Sequence, residues 1–460
     1  MTETLAGRCV ECQSPASHGV YCETHFRELL ADPGQPVSPS LTFSEDILHG
    51  PVGALVLALD AQTEAPMPFL WMDLLTTFGC AVGPSPHIYV GTRQPLKLFS
   101  MLVGPTGAGR KGTTRSIVSD VFEEICPDLK VMYGISSGEG LIEAVADPYP
   151  NKKGELTGGT VDKRLLVVDE EFSRTHTVAH RSGSAVGPVL RQAWDWKNLE
   201  NPKTEARRAT KPHICSIVHC TGEELSHIAS FVDVHSGFLN RYAMVWGERT
   251  KKLPHASRPT GRAIADEISA LRRSLPECRK IPQFEWSTSA GALWEEIYEK
   301  DVLQSGVVGA LTQRKLPYIA RIAAVLSGTV ASRVISLEAL KSAYLTWQYV
   351  AASTAHIVNT YNLGSSRAVE KGIEMAESRL VSQKVEKLLQ ALASASYNGL
   401  TRSQITVDVF RKNVSSSEID ALVAKLVSEG LVVREQTKGR GGRSGVTETV
   451  WLLGFRRPAG

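Results

Sequence analysis

Leu102–Arg115, LVGPTGAGRKGTTR, decides how this chain is read: an apolar run leads into a glycine-rich turn, and a lysine and two threonines open what reads as a helix. Glycines let backbone N–H groups turn inward around an anion, a helix N-terminus adds a positive end, and a lysine reaches a terminal phosphate. Counted from Gly104 in the frame G-x-x-x-x-G-K-[ST], the lysine position holds Arg110, and Lys111 comes one residue late. Lys111 is the expected phosphate lysine. The expected nucleotide contacts are Gly104, Thr106, Gly107, Gly109, Arg110, Lys111, Gly112, Thr113 and Thr114. The Thr113 hydroxyl is placed on the Mg²⁺ side, with Thr114 as its alternative. A glycine-rich strand-to-helix turn that binds nothing is the competing reading.

A second pattern lies roughly 60 residues downstream. Leu165–Glu171, LLVVDEE, is an apolar strand ending in carboxylates, at the strand end where α/β folds hold ligands. Asp169 is expected to hold Mg²⁺ through water and Glu170 to polarise the attacking water, although Glu171 leaves that frame open by one residue. A third strand, IVHCT, ends at Thr221, which either contacts the γ-phosphate of ATP or caps the helix GEEL. In Gly237–Trp246, GFLNRYAMVW, Arg241 stands at the start of a strand. From there it either reaches the ATP of a neighbouring subunit or closes a structural ion pair. The expected catalytic residues are thus Lys111, Glu170, Thr221 and Arg241.

Between Leu102 and Trp246, the runs FSMLVG, KVMYGI, LLVVDE, CSIVHC and YAMVWG alternate with helical patterns, which predicts an α/β core with a largely parallel sheet. Residues 41–97 read as a helical collar, 98–253 as the ATPase core and 254–378 as a helical lid. From 379 to 460, three short helices precede a hairpin, the winged-helix layout. Residues 31–40, ADPGQPVSPS, read as a linker.

Ahead of that linker, within residues 1–30, Cys9, Cys12, Cys22 and His25 form two ligand pairs at x2 spacing in a segment too short for its own core. Tetrahedral Zn²⁺ is the expected source of its folding energy. The other five of the eight cysteines are scattered singly, so no disulfide framework is expected. With 460 residues, 42% apolar and 22% charged, the chain is long enough for about three domains and too polar for a membrane protein. A net charge of +3 announces no nucleic-acid partner by itself, and the N-terminus lacks the layout of a secretory signal. A cytoplasmic protein without membrane contact is expected.

Taken together these segments resemble AAA+-like P-loop ATPases of actinobacterial phages, plasmids and integrated elements, of the primase-helicase C-terminal or replicative-helicase type. The likeness runs from about Leu48 to Val358 and includes HGPVGALVLAL, VGPTGAGRKGTT, SSGEGLIEAV, LLVVDEEF, GPVLRQAWD, ATKPHICSIVHCTGEEL and GFLNRY followed by KKLP. GFLNRY is also similar to the arginine-finger segment of minichromosome-maintenance helicases. The resemblance implies a homo-oligomeric, hexameric ring around single-stranded or forked DNA, acting as the replicative helicase of a mobile element, with priming left to a separate primase or polymerase. An origin-binding initiator on duplex DNA, or a helicase loader, is the alternative.

Two basic clusters are candidate DNA contacts. Lys203, Arg207, Arg208 and Lys211 lie where similar ring helicases carry a pore-lining hairpin, and a solvated charged loop is the other reading. Lys438, Arg440 and Arg443 lie in the glycine-rich wing. The third helix of that unit, SSSEIDALVAKLVSEG, is apolar and acidic, which favours phosphate contact by the wing or docking of a protein over base reading.

Overall fold

The structure, a computed structural model, describes residues 41–363 and 384–452 except 151–152, 154, 182, 202–206, 230–236, 257, 303–305, 396–397, 412 and 439–445. Cys9, Cys12, Cys22 and His25, the linker, Lys203, Arg440 and Arg443 lie outside the described residues. Contacts divide the chain into two compact units, Met1–Val369 and Glu370–Gly460.

In the first unit the five apolar runs become five strands: β1 (Phe99–Val103), β2 (Val131–Tyr133), β3 (Arg164–Asp169), β4 (His213–Cys220) and β5 (Ala243–Trp246). They lie in the order β5-β1-β4-β3-β2, and every neighbouring pair is parallel. Every residue of β1, β3, β4 and β5 is buried. A strand covered on both faces needs apolar side chains in both directions, so these segments read as continuous runs rather than alternating patterns.

Helices cover the sheet. They include α1 (Gly50–Asp60), α2 (Met67–Val82), α3 (Lys111–Ile125), α4 (Phe172–Ala179), α5 (Val186–Trp194), α6 (Gly222–Ile228), α7 (Arg262–Arg279), α8 (Lys315–Thr329) and α9 (Leu337–Tyr361). All of α2 but Met67 is buried, and it packs against β1, β3, β4, β5 and α3. The stretch read as a helical collar therefore supplies a layer of the α/β unit. It also contains a β-hairpin, His87–Val90 with Thr92–Pro95, whose tight reversal uses Gly91 at φ 62°. α9 starts on the Ser336 hydroxyl, which accepts from the Ala339 N–H at 3.1 Å, and stops where Asn362 takes the left-handed conformation. Trp71 Nε1 donates to Thr346 Oγ1 at 3.0 Å, tying α2 to α9.

The second unit has its own core, with Leu388, Leu392, Ile405, Ile419, Leu422, Leu426 and Val450 among its buried residues. A helix over 384–395 is followed by β6 (Leu400–Thr401), a short helix Arg402–Gln404 running into a π-turn Ile405–Val409, α10 (Ser416–Ser428), β7 (Val432–Lys438) and β8 (Val446–Leu452). The strands form an antiparallel sheet in the order β6-β8-β7. α10 buries Ile419, Leu422, Val423 and Leu426, one face at helical spacing. Its acids are tied down inside the unit, Asp420 to Arg402 at 3.0 Å and Glu418 to Lys384. No described helix is long and apolar enough to cross a membrane.

Candidate functional site

Parallel pairing sets Val103 beside Cys220 and Asp169 beside Val218, so the segments leaving β1, β3 and β4 emerge together at the carboxyl edge of the sheet. They enclose a cavity of about 410 Å³. Thr106, Gly107, Arg110, Lys111, Gly112 and Thr113 line one side of it, and Glu170, His219, Cys220, Thr221 and Glu224 the other.

The turn after β1 is held by its own backbone. Gly109 N–H donates to Pro105 O at 2.8 Å, and Gly104 N–H donates to Cys220 O at 3.3 Å. A Cβ on Gly104 would lie 2.2 Å from Gly247 O, so the close approach of the β1 and β5 ends admits only glycine there. Gly104→Ala is expected to destabilise the fold by about 2–3 kcal/mol, because a backbone clash has no rotamer to relax into. Gly112, whose Cβ would meet nothing within 4 Å, is the control. Gly112→Ala is expected to stabilise the helix by about 0.5–1 kcal/mol, and urea unfolding of the two variants measures both.

Arg110 takes the left-handed conformation (φ 48°) immediately before α3, which absorbs the extra residue and makes Lys111 the first residue of the helix. The Arg110 guanidinium leaves the turn and pairs with Glu64, which also binds Arg249 at 3.2 Å. Lys111 Nζ donates to Gly104 O at 2.7 Å, and burial lowers its pKa while Cys220, Glu224 and Glu223 oppose that. Thr113 is exposed at the cavity. Thr114 is buried, and its hydroxyl donates to Arg110 O at 3.1 Å, which turns it back into the helix.

On the opposite wall, Asp169 closes β3. Its Oδ1 accepts from Glu171 N–H at 3.1 Å, whereas Oδ2 is buried without a well-formed hydrogen bond among the described residues. Burial raises the Asp169 pKa, with Thr175 and the Glu171 amide pulling it down. Glu170 is exposed and faces the cavity; Glu171 precedes α4, as its N-cap residue. Thr221 forms a capping box at α6: its Oγ1 accepts from Glu224 N–H at 3.0 Å, and Glu224 reaches back to Thr221 N–H. The other Glu224 oxygen accepts from Ser173 N–H at 3.0 Å, so this carboxylate joins the starts of α4 and α6 beside the cavity. Glu224 and His219 were not assigned to the site from sequence, although T-x-x-E announces the cap.

His219 is buried, its Nε2 has no partner among the described residues, and its pKa is pushed down to about 3 by burial and by Lys111 and Arg115. A depressed histidine contributes stability that is complete above the unfolded value near 6.5. Below it the unfolded state takes up a proton that the folded state refuses until about pH 3. His219→Gln is expected to flatten this acid limb by up to about 1.4 kcal/mol per pH unit. Urea unfolding at pH 7.5 and 5.5 checks it, and parallel losses in the two proteins would remove His219 as the buried neutral group.

Arg241 is elsewhere. It ends the 3₁₀ turn Leu239–Arg241 just before β5, at the amino edge of the sheet, opposite the Lys111 cavity. It is buried and donates to Asp195 Oδ2 at 2.8 Å and to Gly237 O, so within one chain the ion-pair alternative is realised.

Among the basic residues, Arg207 and Arg208 stand on an antiparallel hairpin, Leu199–Asn201 with Arg207–Ala209. Arg207 pairs with Glu143 at 3.3 Å and lies 3.6 Å over the Tyr149 ring, and Arg208 pairs with Glu200 at 3.4 Å. Lys211 is exposed beyond the hairpin. Lys438 ends β7. Among the described residues no group of three or more His, Cys, Asp or Glu could hold a metal. No protein-family model matches the chain, and no curated protein matches it.

Proposed function

We propose that the chain is a ring-forming, DNA-dependent ATPase with an AAA+-like P-loop core, working as the replicative DNA helicase of a phage, plasmid or other mobile element. The observation that carries the reading is the carboxyl-edge cavity, where a glycine backbone and Lys111 face Glu170 across the end of β4. β1 and β3 are two strand spacings apart, roughly 10 Å, which leaves room for a terminal phosphate and a water between the ammonium group and the acid. In this reading the loop N–H groups and Lys111 grip the phosphates, and Glu170 polarises the attacking water. Thr221 keeps its own hydroxyl proton to donate toward the γ-phosphate while its oxygen caps α6.

Thr113 and Asp169 would hold Mg²⁺, which neutralises phosphate charge when bound. The buried Oδ2 of Asp169, without a well-formed hydrogen bond among the described residues, and its exposed neighbour Glu170 fit that assignment. Arg241 serves the nucleotide of another copy. The hairpin carrying Arg207 and Arg208, together with Lys203 and Lys211, would track the DNA backbone, and the second unit, read as a winged helix, would add Lys438, Arg440 and Arg443. The Cys9, Cys12, Cys22 and His25 set would hold structural Zn²⁺.

Equilibrium binding of ATP with Mg²⁺, paired with particle size with and without ATP and single-stranded DNA, tests the reading. Micromolar affinity, a ring-sized particle and DNA-stimulated hydrolysis are expected. No affinity for adenine nucleotides sinks the motor. Hydrolysis with footprinting of one duplex sequence, but no strand displacement on a fork, replaces the helicase with an initiator.

A further inference from the structure

A second cavity, about 490 Å³, opens at the amino edge of the sheet, and its walls carry Arg191, Lys197, Arg241 and Arg314 against a single carboxylate, Asp195. Asp195 is already bound to Arg241, and among the described residues Arg191, Lys197 and Arg314 make no ion pair. Two more basic side chains lie behind the wall, and burial together with the Arg321 charge pushes the Lys97 pKa well down. Lys97 and Arg321 are fully buried and are satisfied by neutral acceptors: Lys97 by Ala193 O, and Arg321 by Gln94 Oε1 at 2.8 Å and Lys97 O at 3.1 Å. Arg241, Arg314 and Arg321 surround one Trp194 ring, their guanidinium carbons 5.6, 5.1 and 3.8 Å from its centre.

Arg191, Lys197, Arg241 and Arg314, with Arg321 behind them, set five cations around one acid, a field that an anion completes, since like charges this close raise one another's cost. Burial lowers the Arg314 pKa and the Arg241 charge adds to it, while Asp195 and Tyr318 oppose it. A second observation points the same way. Arg241 Nε is buried and has no partner among the described residues.

We propose that this cavity binds a phosphate group, with Arg314, Arg191 and Lys197 contributing charge beside Arg241 and with Asp195 as the in-chain anion it displaces. The cavity is larger than a free phosphate, so it also admits the terminal phosphate of a nucleotide seated on a second copy of this chain. That source rests on the function proposed above; the phosphate site itself does not.

The probe is inorganic phosphate, titrated by calorimetry at low ionic strength into the full chain carrying Lys111→Ala, which silences the carboxyl-edge cavity. Saturable binding is expected, weakened about tenfold by Arg314→Gln and about threefold by Lys197→Gln, an exposed position where folding is not at stake. Asp195→Asn is expected to tighten it about tenfold, the opposite of what loss of a structural pair would do. No binding, or binding indifferent to Arg314→Gln, or weakened by Asp195→Asn, overturns the site. Hydrolysis then separates the sources. Turnover lost in Arg314→Gln and regained on mixing with Lys111→Ala subunits marks a neighbour's nucleotide, whereas intact turnover marks free phosphate. Because the calorimetric arm needs no nucleotide, a protein that hydrolyses nothing still answers it.

Discussion

Lys111→Ala is expected to lower ATP turnover by about 10³-fold or more, while Arg110→Ala lowers it by less than about tenfold. The sequence places an arginine where the usual frame has lysine, so the two side chains compete for the role, and their geometry separates them. Arg110 sits at φ 48°, outside the helix, and its guanidinium is committed to a carboxylate shared with Arg249. The Leu253 N–H, then Arg110 and Arg249, hold the Glu64 pKa down to about 2, so the partner stays ionised across the working range. Among the described residues Lys111 has no carboxylate of its own. Its ammonium rests on Gly104 O, a neutral acceptor at 2.7 Å, and faces the same cavity as Glu170. An ammonium resting on one neutral carbonyl exchanges that contact for a phosphate at small cost, whereas Arg110 would have to break a charged one. Phosphate release and nucleotide affinity, measured for both variants, check the ordering. If Arg110→Ala proves the more damaging, the loop is framed one residue earlier and Lys111 loses its role.

Most of the β-sheet was legible because β1, β3, β4 and β5 are buried on both faces and so read as largely apolar runs. Asp169 and Glu170 were legible for a related reason: a charge that ends such a run must leave the sheet at the ligand-binding edge. The hairpin His87–Val90 with Thr92–Pro95 was not, since four-residue strands with Arg93 and Gln94 inside one of them give neither an apolar run nor a clear alternation. The choice between Thr113 and Thr114 was open in sequence and turned on rotation about the α3 axis, which the packing of Arg115 against Asp73 and Thr77 fixes. The amino-edge cations were invisible as a group. Lys97, Arg191, Lys197, Arg241, Arg314 and Arg321 are spread over more than 200 residues of sequence, and only the packing of α5 and α8 beside the start of β5 assembles them around Trp194.

Arg241→Ala is expected to bind ATP within about threefold of the parent and to hydrolyse it about 10³-fold more slowly. The reason is topological. β5 runs parallel to β1, Lys111 follows the carboxyl end of β1, and Arg241 precedes the amino end of β5, so the sheet itself separates the two residues within a chain. Arg241 can therefore serve only a nucleotide held by another copy, and its in-chain bonds to Asp195 and Gly237 O are what it must leave to do so. Mixing decides whether it does. Subunits carrying Glu170→Gln keep Arg241 but cannot activate water, and subunits carrying Arg241→Ala keep Glu170, so a mixed ring contains interfaces with both. Turnover recovered on mixing two inactive preparations has no explanation inside one chain. A purely structural pair predicts a different outcome: removing Arg241 leaves Asp195, which keeps part of its surface in water, without its cation and lowers stability by about 1–2 kcal/mol, with melting shifted and no recovery on mixing. That result would take the finger away and leave Arg241 as a strut of the amino edge.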